Sequence, residues 1–213
     1  MTQAVSSFRL TSSEMESLRS YNHARVDSSW VARVLHPGYY RISQWTPTWI
    51  PANALTLIGL GVSAVACVIS LTWPSSRCAS IGCAALLTLY ASLDWLDGLQ
   101  ARRTGMHNHP AILLTDHGCD AFQVWLVTTV ITSSLGIRSP WACFVILTAS
   151  YTVFYFTIWE SLMVSRLTFP SGLWNPTNGL VLIALILVLR GVLAPDSWSI
   201  ERDIPRHLWV VCG

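Results

Sequence analysis

The sequence predicts an all-α protein: a polytopic bundle of about five transmembrane helices preceded by an N-terminal amphipathic helix. Hydrophobic residues make up 52% of the 213-residue chain and charged residues only 11%, whereas soluble domains carry about 25% charged residues. The eleven tryptophans suit membrane interfaces, where such side chains are enriched. Apolar segments of about 20 residues, the length that crosses a bilayer, recur along the chain.

Charge and cysteine usage narrow the function classes. The formal net charge of +2 comes without a basic block and gives no indication of nucleic-acid binding. The six cysteines form neither a CxxC pair nor a zinc-ligand pattern, and most lie in apolar runs. We therefore expect packed thiols rather than disulfides or metal ligands.

Residues 13–35 have helical patterning. Their candidate apolar face comprises Trp30, Val31, Val34 and Leu35. This pattern predicts an amphipathic helix that lies on the membrane surface, with an ordinary packed or disordered arm as the alternative. Pro37 and Gly38 predict a turn directly after it.

The chain divides into an N-terminal arm (1–50), a membrane domain (51–194) and a short polar tail (195–213). The predicted spans of the membrane domain are residues 51–73, 78 to beyond 96, 112–135, 141–160 and 178–194. Arginines cluster in the arm and in the loops after the second and fourth spans. The positive-inside rule then predicts that the N-terminus and the loop after the second span face the cytosol.

Residues 94–120 hold four of the eleven acidic residues and lie between strongly apolar segments. Acids at the edge of a membrane span are costly unless they pair or bind a cation, so they are candidates for function. A 0, 3, 4, 7 spacing, which places residues on one helix face, relates Asp94, Asp97, Gly98 and Ala101. The two small residues allow a ligand or a neighbouring helix to approach the backbone closely.

Asp116 and Asp120, at positions i and i+4, share one face of the next predicted helix. Helices joined by a short loop are natural antiparallel neighbours, so we expect four carboxylates to converge. Divalent cations would relieve their repulsion, and hard oxygen ligands favour Mg²⁺ or Mn²⁺ over zinc. Two such ions could stabilise an in-line displacement at phosphorus. A buried polar network that only specifies helix packing is the alternative.

Polar residues near this segment have two interpretations each. Arg102 and Arg103 could contact phosphate or anchor the loop at the membrane face. Asn53 and Thr56 could bind a polar ligand, or could cap a helix and bond within it. For the three histidines that lie between residues 107 and 117, loop solvation or helix capping is favoured over metal binding.

The strings DWLDGLQARR, from residue 94, and DHGCD, from residue 116, resemble the signature of the CDP-alcohol phosphotransferases (class I CDP-alcohol phosphatidyltransferases). That signature is Asp-x2-Asp-Gly-x2-Ala-Arg followed by Gly-x3-Asp-x3-Asp. The extended string DG-x2-ARRT with DHGCD is similar to the eukaryotic choline/ethanolamine phosphotransferase branch. The string WIPANALTLIGL resembles that branch's entry to its first helix, and the resemblance covers residues 21–179.

The resemblance implies transfer of phosphocholine or phosphoethanolamine from CDP-choline or CDP-ethanolamine to diacylglycerol, with release of CMP. It implies two divalent ions, Mg²⁺ or Mn²⁺, on Asp94, Asp97, Asp116 and Asp120, and Asp120 is also the candidate catalytic base. The implied CDP-alcohol-binding residues are Asn53, Gly98, Ala101 and Arg102. The resemblance further implies an integral protein among the membrane lipids of the endoplasmic reticulum or Golgi, with a cytosolic active site, and leaves a homodimer open.

The chain departs from the branch pattern at three positions. Ile112 stands where the family has a glycine, Met163 where the branch has a histidine, and Asn178 where it has a second glutamate. In the branch this histidine and glutamate help to deprotonate the acceptor hydroxyl. The chain also stops before the family's sixth core helix, so we expect a short, diverged member. The alternative to an active enzyme is a catalytically impaired membrane paralogue that binds metal and CDP-alcohol or partners a full-length relative.

Overall fold

The computed structural model describes residues 11–13, 24–27, 30–74, 76–107, 109–164, 166–169 and 176–193. The helices of these segments are α1 (Trp30–Trp45), α2 (Ala52–Thr72), α3 (Arg77–Arg103), α4 (Pro110–Ser134), α5 (Pro140–Val164) and α6 (Pro176–Leu193). Two short strands, β1 (Ala24–Asp27) and β2 (Arg166–Phe169), pair in parallel, with Ala24 opposite Arg166. The predicted all-α fold is confirmed, and the strand pair is a small addition to it. The predicted tail, residues 195–213, lies outside the described residues.

Four of these helices are long and apolar enough to cross a membrane, namely α2, α3, α5 and α6. Helix α4, the predicted third span, is not among them, although it has 25 residues. Its first half carries Asp116, His117 and Asp120, and its second half is rich in serine and threonine. These polar residues lower its mean hydropathy, while α4 still packs along α2. The chain is an integral membrane protein.

The centre of the bundle is an apolar core to which α2, α3, α4 and α6 all contribute. Its buried residues are Ala66, Cys67, Cys83, Ala84, Leu87, Leu126, Val130 and Leu187. Several of them are small, which lets helix backbones approach closely within a membrane. Cys67, Cys83 and Cys119 are buried free thiols, so the interpretation as packed thiols is confirmed for these three.

Helices α3 and α6 cross closely at Gly191. Among the glycines of the described residues, this is the one where an added Cβ would have the shortest contacts. Arg77, at the start of α3, donates from Nε to the Gly191 carbonyl oxygen (2.9 Å) and from Nη2 to that of Val192 (2.6 Å). These bonds satisfy carbonyl groups at the end of α6 that have no partner within the helix. A Cβ atom on Gly191 would lie 2.5 Å from Ile81 Cγ1 and 2.9 Å from the Arg77 backbone oxygen.

The arm differs from the prediction. Residues 24–27, which were expected to be helical, form β1, and α1 begins only at Trp30 and continues through Pro37 to Trp45. The predicted turn at Pro37 is therefore wrong. A proline within a helix removes one backbone donor, and contacts with α3 offset that loss. The Tyr39 hydroxyl lies 2.8 Å from Ser92 Oγ, and the Tyr39 ring packs 5.4 Å from that of Trp95.

The residues of the predicted apolar face of the arm differ in their burial. Val31 is buried at 2% exposure, whereas Val34 is 67% and Leu35 40% exposed. The side chain of Trp30 lies outside the described residues. One side of α1 therefore faces protein, and the exposed apolar side chains are available to lipid.

Side chains near the end of α3 fasten the connection between α1 and α2. Gln100 is fully buried, and its Nε2 donates to the carbonyl oxygens of Pro47 (3.0 Å) and Ile50 (2.9 Å). Arg103 donates from Nη1 to the carbonyl oxygens of Ser43 and Thr46. These bonds tie Arg103 to the connection between α1 and α2 and test neither the phosphate nor the membrane-anchor interpretation of this residue.

Replacement of Gly191 by alanine is expected to lower the free energy of unfolding by about 1–3 kcal/mol, because the new methyl group has no space beside Ile81. Tryptophan fluorescence of the purified protein in detergent, followed during heating, measures this change. Gly61→Ala on α2 is the matched control, since a Cβ there would meet no described atom within 4 Å apart from its chain neighbours and the backbone of its own helix. Equal unfolding temperatures for the two variants would contradict the close α3–α6 crossing.

Candidate active site

The candidate site lies where the end of α3 meets the beginning of α4. A tight turn joins the helices: Gly105, with φ of +72°, donates to the Arg102 carbonyl (3.2 Å), and Met106 donates to that of Ala101 (2.9 Å). This pattern is a Schellman motif, in which a left-handed residue, usually glycine, ends the helix. After the turn, α4 packs mainly on α2 and contacts α3 little, but acidic residues of its first half still lie close to Asp94 of α3.

Three of the four predicted metal ligands form a compact group. One carboxylate oxygen from each of Asp94, Asp116 and Asp120 lies within 4.8 Å of the other two, and all three residues are half-buried. We call these residues the carboxylate triad. Three ionised carboxylates at this distance repel one another. Their oxygen-only chemistry suits a hard divalent cation, which would relieve that repulsion.

The fourth predicted ligand, Asp97, stands apart from the triad. It is 5% exposed, and the Thr56 hydroxyl lies 2.6 Å from Asp97 Oδ2. The same hydroxyl lies 3.2 Å from the Ala52 carbonyl oxygen. Since a hydroxyl has one proton, we assign it to the shorter, charge-assisted bond. Helix α2 thereby fixes the orientation of Asp97, a role for Thr56 that the sequence interpretations did not include.

A narrow, closely packed cleft links Asp97 to two members of the triad, Asp94 and Asp120. Its lining residues are Thr56, Gly59, Tyr90, Asp94, Asp97, Cys119, Asp120 and Gln123. Gly59 lies against Tyr90, and a Cβ there would be in van der Waals contact with the Tyr90 ring, at 3.4 Å. The sequence interpretations missed Gly59, Tyr90 and Gln123. Helical spacing could have indicated Gln123, which lies three residues after Asp120, but only the packing of α2 on α3 brings Gly59 to Tyr90.

Asn53, the predicted nucleotide contact, links α2 to α4 beside the triad. Its Nδ2 donates to Thr115 Oγ1 at 3.3 Å, and Thr115 directly precedes Asp116. Its buried Oδ1 has no hydrogen-bond partner among the described residues. Pro51, rather than Asn53, is the N-cap of α2. The helix-cap interpretation of Asn53 is therefore wrong.

The small residues of the α3 face have different surroundings. A Cβ on Gly98 would lie 3.6 Å from Nη2 and 3.7 Å from Nη1 of Arg102. The exposed Arg102 side chain thus lies back along α3 across Gly98, in the direction of Asp94. Ala101 is 5% exposed and packs inside the bundle. The space beside Gly98 therefore holds a guanidinium group of the chain itself.

His109 caps the N-terminus of α4. Its Nδ1 accepts a hydrogen bond from the backbone N–H of Ala111 at 3.2 Å. The capping interpretation is confirmed for this histidine. His107 lies exposed in the preceding loop, and Ile112, at the position of the family's glycine, is half-buried in the first turn of α4.

The two positions where the branch residues are missing lie on either side of the α5–α6 connection. Met163 is 67% exposed in the last turn of α5. Asn178 is 5% exposed in the first turn of α6. Neither side chain accepts a proton at neutral pH, so the chain has no histidine or glutamate to activate an acceptor at these positions.

Comparison with known proteins assigns most of the chain to one family. The family model described as CDP-alcohol phosphatidyltransferase matches residues 49–201. Choline/ethanolaminephosphotransferase 2 of Arabidopsis thaliana is 30% identical over 202 residues, which cover 91% of this chain and 51% of that protein. Cholinephosphotransferase 1 of Homo sapiens is 27% identical over 198 residues, which cover 89% of this chain and 48% of that protein.

The chain spans about half the length of the curated relatives it matches. The family match nevertheless covers most of the chain and includes the carboxylate triad, Asp97 and Asn53. The relatives' names also agree with the branch to which the sequence motif is similar. The chain belongs to the CDP-alcohol phosphatidyltransferase family.

Proposed function

We propose that this protein transfers phosphocholine or phosphoethanolamine from its CDP conjugate to diacylglycerol and releases CMP. The observation that carries the proposal is the carboxylate triad, whose oxygens lie within 4.8 Å of one another at the junction of α3 and α4. Membership of the family supports the reaction type, and the names of the relatives support the choline and ethanolamine substrates. The acceptor comes from the resemblance alone.

In this proposal the triad and Asp97 hold two divalent ions, Mg²⁺ or Mn²⁺. The donor set supports this assignment, because carboxylate oxygens without thiolates are the ligands of hard cations. When bound, such ions neutralise the pyrophosphate and stabilise the charge that develops in phosphoryl transfer. The hydrogen bond from Thr56 limits Asp97 to one orientation, as a residue around a metal site does for a ligand.

The remaining residues bind the nucleotide end of the donor. The exposed Arg102 guanidinium contacts a phosphate oxygen, for which its planar set of N–H groups is suited. Asn53 offers the cytidine its buried Oδ1, which accepts no hydrogen bond from the described residues. Gly98 leaves room for Arg102 to move between the phosphate and its position along α3, and Ala101 keeps the adjacent face small.

In the transfer step, one bond to phosphorus forms and another breaks. The hydroxyl oxygen of diacylglycerol forms a bond to the β-phosphorus of the CDP-alcohol. The bond from that phosphorus to the oxygen bridging the two phosphates breaks, and CMP leaves with this oxygen. The hydroxyl proton passes to Asp120, since Met163 and Asn178 stand where the branch has its histidine and glutamate.

The proposed site faces the cytosol of an endoplasmic reticulum or Golgi membrane. The exposed Arg102 beside the site supports this orientation, because arginines next to spans are enriched on the cytosolic side.

A catalytically impaired paralogue is the second candidate function. Met163 and Asn178 favour it, because neither side chain replaces the proton-accepting groups of the branch. Such a protein would keep the triad and bind metal and CDP-alcohol, or pair with a full-length relative, without transfer.

Release of CMP from CDP-choline and CDP-ethanolamine, with diacylglycerol and Mg²⁺ in purified membranes, tests the proposal. The parent chain is expected to release CMP, and Asp120→Asn to lose at least about 100-fold of the rate, within the range for general bases. Asp116→Asn is expected to lower the rate of CMP release by a similar factor, because it removes one charge from the same triad. No release above Asp120→Asn, with CDP binding retained, would contradict the enzyme and favour the paralogue.

Thr56→Val is expected to raise the Mn²⁺ concentration for half-maximal CMP release by about tenfold, the lower end of the effect of residues that orient ligands. The variant keeps the shape of the side chain and removes the hydroxyl that donates to Asp97. Thr88→Val is the matched control, because the Thr88 hydroxyl donates only within α3, to the Ala84 carbonyl. If the two variants respond to Mn²⁺ alike, Thr56 does not orient a ligand.

A further inference from the structure

Gln123 is a residue of the cleft to which the family motif gives no role. It lies on α4, three residues beyond the last aspartate of the motif, and is 4% exposed. It lines the cleft together with Asp97 and Asp120. Its buried Oε1 has no hydrogen-bond partner within the described segments. An unpaired buried carbonyl oxygen is costly, so a polar partner is expected for it.

Helix geometry directs Gln123 toward the triad. Asp116, Asp120 and Gln123 follow a 0, 4, 7 spacing and share one face of α4. Gln123 is the member of this series farthest from the α3–α4 turn, so it lies at the inner end of the cleft. Its amide can rotate about the last side-chain torsion, which has broad minima, and this rotation exchanges the positions of its oxygen and nitrogen.

No neighbour of Gln123 donates to its Oε1 in this structure: the Tyr90 hydroxyl also lines the cleft and is able to donate, yet Oε1 has no partner among the described residues. Ionised carboxylates accept hydrogen bonds and do not donate them. The Thr56 hydroxyl donates to Asp97, and a thiol such as Cys119 is a weak donor. A cation, or water bound to a cation, would satisfy the carbonyl oxygen. Amide carbonyls are regular ligands of hard divalent ions.

We propose that Gln123 is an additional ligand of a divalent cation held by the triad, and that its Oε1 binds the ion directly or through one bound water. The inference rests on the cation site of the proposed function. A neutral amide adds an oxygen ligand without adding charge, which matters where four carboxylates already repel one another. Gln123 thereby extends the ligand set inward beyond the aspartates of the motif.

Binding of Mn²⁺ to the purified full chain in nanodiscs, measured by electron paramagnetic resonance of the free ion, tests this inference without substrate. Gln123→Met keeps the length of the side chain and removes the carbonyl, and is expected to weaken Mn²⁺ binding by about tenfold or more. Ser63→Ala is the matched control. Ser63 is fully buried and its Oγ has no partner among the described residues, as for Gln123, but it does not line the cleft.

Unchanged Mn²⁺ affinity in Gln123→Met, or an equal loss in Ser63→Ala, would overturn the assignment. Unfolding temperatures measured with EDTA establish that each variant is folded. If Gln123→Met does not fold, Gln123→Leu replaces it in the binding experiment. Absence of Mn²⁺ binding in the parent chain would overturn both this inference and the proposed cation site. Weaker Mn²⁺ binding in Gln123→Met, with no CMP release from the parent chain, would leave the inference standing and remove the proposed transfer.

Discussion

The mutual repulsion of carboxylates inside a membrane bundle is the constraint on which the rest of the structure depends. Asp94, Asp116 and Asp120 lie close together in surroundings where an uncompensated charge is unfavourable. Helix α2 contributes to this arrangement from one side: Thr56 donates to Asp97, Asn53 donates to Thr115, and Gly59 lies against Tyr90. One helix without an acidic residue thus orients groups on both acidic helices.

Residues outside the candidate site hold α2 in this position. Gln100 and Arg103 bind the carbonyl groups that lead from α1 into α2, so the end of α3 fixes the beginning of α2. At the opposite end of α3, Arg77 binds the last carbonyl groups of α6. Helix α3 is therefore the common support of the bundle. A shift of α3 would move the candidate site together with its neighbours.

Local sequence patterns predicted most of the helices of this molecule correctly. They failed where contacts between residues distant in the sequence determine the structure. Four of the five apolar segments become helices long and apolar enough to cross a membrane, and the 3.6-residue period brings Asp116 and Asp120 to one face. Pro37 was misleading because the packing of Tyr39 on Trp95 and Ser92 outweighs a turn preference. No spacing rule separates Asp97 from the triad, because its partner Thr56 is 41 residues away in the sequence.

The proposed reaction is unequally equipped: the acidic residues proposed for the donor are present, whereas Met163 and Asn178 stand where the branch has a histidine and a glutamate. The central claim is that the triad holds divalent cations. A crystal structure with Mn²⁺ and a CDP-alcohol, using anomalous scattering at the manganese absorption edge, tests that claim most directly. We expect manganese peaks bound by oxygens of Asp94, Asp116 and Asp120, next to the pyrophosphate. Peaks elsewhere, or a CDP-alcohol bound at the triad without manganese, would contradict it.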